Sequence, residues 1–122
     1  MSADDVQEIR HVVTSYVDAY LNADVATLKE VFADDAVMNG YLGDRLIEGT
    51  PAFFIENVAK APPIAQQGGT PTLEIGEVEI RGNVAAVTLQ ERDFGGRNFT
   101  DFMHLIKRGG VWKIISKTFS TF

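Results

Sequence analysis

"FTDFMHLIKRGGVWKIISKTF", residues 99–119, decides the fold. Two long runs rich in β-branched and aromatic residues flank Gly109-Gly110, which is the pattern of a β-hairpin closed by a tight turn. Alternation in the first run places Phe99, Met103 and Leu105 on one face, with Asp101 between them, and Phe102, His104 and Ile106 on the other. A strand apolar on both faces needs a cover on each side. Helices can supply one cover, and a second copy of the chain is the most economical source of the other, so a homodimer through the sheet is expected.

Upstream of this hairpin, "VAAVTLQERDF" (84–94) and "TLEIGEVEI" (72–80) are separated from it and from each other by Gly-containing turns, which extends the hairpin into an antiparallel meander. Leu73 and Ile75 share one face while Val78 and Ile80 share the other, so a β-bulge is expected near Gly76. "APPIAQQGGTP" (61–71) has no periodicity and reads as a loop long enough to act as a lid. Before it, "TPAFFIENVAKA" begins a helix with Thr50 as cap and Pro51 at the first position. "AVMNGYL" and "RLIEG" read as two short strands around a turn. Val6, Ile9, Val13, Tyr16, Val17, Tyr20 and Leu21 form one face of a first helix, which Ser2 or Asp4 can cap. Asp24 can cap a second helix carrying Leu28, Val31 and Phe32. The expected architecture is α+β, with three N-terminal helices on one face of a curved antiparallel sheet of about six strands, forming a single domain over 1–122.

The chain has 122 residues, 45% of them apolar, and a net charge of -6 from 17 acidic and 11 basic residues. Scattered, outnumbered Lys and Arg argue against nucleic acid as a partner. The absence of cysteine excludes disulfides and thiolate chemistry. An acidic, polar start and the lack of any run of about 20 apolar residues argue against a signal peptide or a membrane span. A cytoplasmic location is expected. His11 and His104, without paired-ligand spacing, offer no metal site, and no cofactor motif is present.

The order of elements, together with "VVTSYVDAYLNADVATLKEVFADDA" and "FTDFMHLIKRGGVWKI", resembles the nuclear transport factor 2-like superfamily over nearly the full chain. "GYLGDRLIEG" and "FTDFMHLIK" are similar to its branch labelled "Putative lumazine-binding", and SnoaL-like cyclases and ketosteroid isomerases share the fold. The resemblance implies a cone-shaped fold with a ligand pocket. It does not assign a function, because the superfamily hosts enzymes and non-catalytic binders. Ketosteroid isomerases use an Asp base with a Tyr and a protonated Asp as oxyanion hole. Their Tyr falls on Tyr16 and their protonated Asp on Asp101, but counting on from Asp34 and Asp35 puts the base at Gly40, which cannot move a proton. In SnoaL-like cyclases a strand Asp of this kind is the general acid or base, which also points to Asp101.

The plain readings stand beside these. Asp101 between apolar neighbours is either a carboxyl with a raised pKa at a site or an anchor from sheet to helix. Tyr16 and Tyr20 at helical spacing fit core packing as well as ligand contact. Ser116 and Thr118 are expected on the face of Trp112 and Ile114, where they could donate to a ligand or to backbone. The leading expectation is a binder of a small, mainly apolar or aromatic ligand contacted by Tyr16, Tyr20, Met38, Tyr41, Asp101 and Trp112. The alternative is a cofactor-free lyase, isomerase or cyclase with Asp101 as general acid/base and Tyr16 polarising an oxygen. A third class is an interaction module that uses the exposed sheet.

Overall fold

In a computed structural model describing residues 3–122, the chain forms three helices and a seven-stranded sheet. Helix α1 spans Ala3–Asn22, α2 Val25–Val31 and α3 Pro51–Lys60; a 3-10 turn covers Ile64–Gln66. The strands are β1 (Phe32–Leu42), β2 (Arg45–Ile47), β3 (Thr72–Ile75), β4 (Glu79–Arg81), β5 (Val84–Phe94), β6 (Arg97–Arg108) and β7 (Val111–Thr121). Their order is β2-β1-β7-β6-β5-β3, with β4 also pairing with β5. The sheet is mixed rather than wholly antiparallel, because β1 runs parallel to β7. Local turn signals could not reveal that pair, since its two strands lie far apart along the chain.

The helix starts follow from capping. The Asp24 carboxylate accepts from the Thr27 backbone N–H at 3.2 Å and from the Thr27 hydroxyl at 2.7 Å. Pro51 begins α3 after Thr50, although the Thr50 side chain makes no cap bond. The proposed Ser2 cap lies outside the described residues. Helix α2 stops at Val31, and Phe32 belongs to the strand instead, where it pairs with Ile114. Between Phe32 and Val37 the register shifts, and Asp34 and Asp35 stand exposed. Arg108 on β6 clamps Asp35 there with two bonds of 2.8 and 3.1 Å.

Three further bulges shape the sheet and decide which side chains face inward. At Gly76 the pairing passes from Ile75 opposite Leu89 to Glu79 opposite Ala86, so residues 76–78 match only Val87 and Thr88 on β5. This is the phase slip expected from the sequence. A second lies between Glu91 and Phe94, where Asp93 adopts φ 61°. The third is on β7: His104 pairs with Ser116 but Leu105 with Ile114, which leaves Ile115 unpaired. Beyond Ile115 the alternation inverts, so Lys117 and Phe119 join Trp112 and Ile114 in the interior. Ser116 and Thr118 therefore turn to the outer face, contrary to strict alternation from Trp112.

The core lies between the helices and the inner face of the sheet. It is built from Ile9, Val13, Tyr16 and Val17 of α1, Leu28 of α2, and the alternating buried positions of β5, β6 and β7. Outside, three cross-strand rows carry no formal charge across β5, β6, β7 and β1: Thr88-Phe102-Thr118-Asn39, Ala86-His104-Ser116-Val37 and Gln90-Thr100-Ser120-Tyr41; Glu79 and Glu74 continue the last two onto β4 and β3. Phe102 is 56% exposed and Val37 46%. No helix among the described residues is long and apolar enough to cross a membrane.

Candidate functional site

A cavity of about 300 Å³ opens between the C-terminal end of α1, α3, the segment after α3 and the inner face of the sheet. Its walls are mostly apolar: Tyr20 from α1, Phe53, Phe54 and Val58 from α3, Met38 and Leu42 from β1, and Phe94, Phe99 and Phe119 from β5, β6 and β7. The 61–71 loop closes one side with Pro62, Pro63, Ile64 and Gln67. It is pinned rather than free to swing: Ile64 is buried, Gln67 Nε2 donates to the Pro62 carbonyl at 2.6 Å, and the Thr70 N–H donates to Asp93 at 2.7 Å. Glu48 and Arg97 border the cavity as exposed charges.

Lys117 is the buried charge that lines it, with 4% of its side chain exposed. Its ammonium stands over four rings, 4.7 Å from the Phe54 centroid, 4.9 Å from Tyr16, 5.1 Å from Phe119 and 5.9 Å from Tyr20. Ring faces attract a desolvated cation, which offsets part of the cost of burying it. Nζ also donates a short hydrogen bond to the Tyr16 hydroxyl and lies 3.8 Å from Asp101 Oδ2.

Behind Lys117 two carboxyls are fully buried. Asp101 stands opposite Leu89 and Glu91 opposite Phe99, so the two are diagonal neighbours on one face. Both have 0% exposure, and no protein N–H or O–H reaches either carboxyl. The bond open to them is with each other, and it requires a proton. Burial first, then the hydrogen bond with Asp101 and its charge, push the Glu91 carboxyl well above the usual carboxylate range, against a smaller opposing effect of Lys117. Glu91 thus keeps a proton to donate to Asp101. Tyr16 and Tyr20 are likewise pushed up, mainly by burial and then by the Glu91 and Asp101 charges, so both stay neutral hydroxyls.

The site residues proposed from sequence separate in space. Tyr20 and Met38 line the cavity. Tyr16 and Asp101 do not; they are buried behind Lys117 and act on the cavity only through it. Trp112 does not line the cavity; it lies elsewhere in the core, where its Nε1 donates to Asp5 at 3.0 Å beside Lys107. Tyr41 is 48% exposed on the outer face and does not line the cavity either, because its parity opposes that of Met38 and Gly40.

Gly40 pairs with Phe119, and a Cβ there would meet the Phe119 carbonyl oxygen at 2.2 Å. No acid could occupy that position without parting β1 from β7. Asn39 points away and accepts from the Gly49 N–H at 3.2 Å. No group of three or more potential metal ligands is present among the described residues.

Sequence reasoning missed Lys117 and Glu91. Strict alternation from Val87 and Leu89 would have found Glu91. The adjacent pair Ile114-Ile115 was the signal for the slip that turns Lys117 inward.

Helices covering one face of a curved, open sheet, with a cavity between them, define a nuclear transport factor 2-like protein. Two solved structures titled as nuclear transport factor 2-like proteins of unknown function are similar over the whole chain. The one from Methylobacillus flagellatus has 25% identity and TM-score 0.90, covering 100% of this chain and 95% of that one. The one from Shewanella baltica has 22% identity and TM-score 0.88, covering 100% and 97%. A "putative dehydratase" of the same fold from Streptomyces avermitilis matches at 17% identity and TM-score 0.69, covering 100% and 99%, and shares the fold alone. No curated protein matches the chain. Residues 4–120 match the family described as "Putative lumazine-binding", and the chain belongs to that family.

Proposed function

We propose that this protein binds a small, mainly apolar or aromatic molecule in the cavity between α1, α3 and the sheet. The carrying observation is the cavity itself. Protein interiors are packed to crystal density with few voids larger than a water, yet this one leaves about 300 Å³ inside a ring-lined wall with one buried cation. That volume, an apolar lining and a few fixed polar groups are the usual composition of a ligand pocket. Tyr20 and Met38 contact the ligand directly, and Tyr16 and Asp101 position Lys117. A thermal-shift panel of pterins, flavins and polycyclic ketones tests the reading. A ligand at a hundred times its Kd should stabilise the native state by about 2.7 kcal/mol; no shift with any of the three classes at millimolar concentration would remove it.

The buried Glu91-Asp101-Lys117-Tyr16 network supports a second reading, a cofactor-free lyase, isomerase or cyclase, because strongly perturbed ionisable groups cluster at reactive sites. In that reading Asp101 is the general acid/base and Tyr16 polarises an oxygen, both reaching the cavity through Lys117. Asp101→Asn should abolish turnover with the fold intact, and retained turnover would end that reading.

The same proposal extends to assembly: a second copy covers the uncharged part of the outer face, across β5, β6, β7 and β1. Two chains of net charge -6 repel, so a contact costs least where neither presents a charge, and Phe102 and Val37 supply apolar area there. Sedimentation at micromolar concentration should show a dimer that Phe102→Glu dissociates; a wild-type monomer would refute it.

A further inference from the structure

Lys117 has more donors than the protein satisfies. An ammonium carries three N–H groups. Among the described residues one acceptor lies at hydrogen-bond distance, the Tyr16 hydroxyl, and the Asp101 carboxylate stands further off at 3.8 Å. The neighbouring rings attract the charge but fill no acceptor position in the line of an N–H bond. A buried donor left without an acceptor is costly, and Lys117 lines the cavity.

The charges behind it limit what the missing acceptor can be. With the Glu91 proton in place, Asp101 and Lys117 cancel, and Tyr16 is neutral. An anion entering beside Lys117 would add a buried charge that only the exposed Arg97 at the cavity border could answer, whereas a neutral oxygen would add none. We infer that Lys117 is the specificity-determining residue of the cavity, donating a hydrogen bond to an uncharged carbonyl oxygen on an aromatic ligand whose rings pack among Tyr20, Phe54, Phe94 and Phe119. This inference rests on the binding reading above and adds the polar half of the ligand to it.

Three naphthalene probes of nearly one shape separate the possibilities: 2-acetonaphthone, 2-isopropenylnaphthalene, in which a methylene replaces the oxygen, and 2-naphthoate. Binding to the full chain is measured by calorimetry, and the carbonyl stretch of bound, isotope-labelled ketone by infrared difference spectroscopy. The ketone should bind at least tenfold tighter than both others, and its stretch should fall below the value in hexane. In Lys117→Met combined with Asp101→Asn, which removes both charges, the ketone should lose its tenfold advantage over the alkene. Should that variant not fold, the wild-type affinities and the infrared shift decide alone. Equal binding of ketone and alkene, or an unshifted stretch, overturns the role of Lys117 while leaving the cavity a binding site. Tighter binding of naphthoate overturns the neutral acceptor. If none of the three binds, this inference falls, and the panel of pterins, flavins and polycyclic ketones decides the cavity reading separately.

Discussion

Glu91→Gln should make the protein increasingly more stable than wild type as pH rises. Glu91 is fully buried, and its pKa is raised chiefly by burial, then by the hydrogen bond with Asp101 and by its charge. An unfolded chain releases this proton near pH 4.3, its ordinary value to about one unit. Between that pH and the raised native value, the folded state holds one proton more than the unfolded state. Stability therefore falls with rising pH across this window, by up to about 1.4 kcal/mol per unit, and levels off above the native pKa. Glutamine keeps the shape and the donor to Asp101 but has no proton to lose. The gap between variant and wild type should thus widen as pH rises through this window, with a slope of at most one proton.

Asp5, Asp24 and Asp35, whose carboxyls are held below their usual range, tilt stability the other way at acid pH, but they do so equally in both proteins. Urea unfolding at pH 5, 6, 7 and 8, followed by the single buried Trp112, measures the difference as a shift in midpoint at constant slope. Parallel pH profiles for the two proteins would refute the protonated Glu91 and the neutral charge balance built on it.

Gly40→Ala should cost about 3 kcal/mol or more in urea unfolding, because its Cβ would sit 2.2 Å from the Phe119 carbonyl and 2.5 Å from the Phe119 ring; a loss below about 0.5 kcal/mol would show that β1 and β7 part easily. Tyr16→Phe should cost about 1–3 kcal/mol, since it takes from Lys117 its one hydrogen-bond acceptor in a buried place; unchanged stability would mean that Lys117 finds another. Trp112→Phe should raise the Asp5 pKa toward its ordinary value in a carbon-13 carboxyl titration, because the Trp112 bond is the largest influence holding it down; an unmoved pKa would assign that influence to its other contacts, Lys107 among them.

The hairpin around Gly109-Gly110, the meander before it and the bulge at Gly76 were legible because β-strand alternation, turn glycines and phase slips are local patterns. Asp24 declared its helix for the same reason, as a short-range bond to Thr27. The parallel contact of β1 with β7 was hidden, because nothing local marks a pairing between strands some 80 residues apart in sequence. That contact also explains why Gly40 has no side chain: Phe119 occupies the space.

For the site, alternation along β6 placed Asp101 inside and His104 outside, as the structure has them. It misplaced the residues of β7 beyond Ile115. A bulge of one residue exchanged Ser116 and Thr118 for Lys117 and Phe119, and so exchanged two hydroxyls for a cation and a ring at the cavity.

The sequence by itself determined the class of fold, the inward carboxyl of Asp101 and the lack of an acid at Gly40, because each follows from residue type and period. Only the tertiary structure decided that Asp101 meets Glu91 and Lys117, and that Lys117 rather than either acid faces the cavity. Those neighbours come from three strands, and their approach depends on register and bulges, which one-dimensional spacing does not encode.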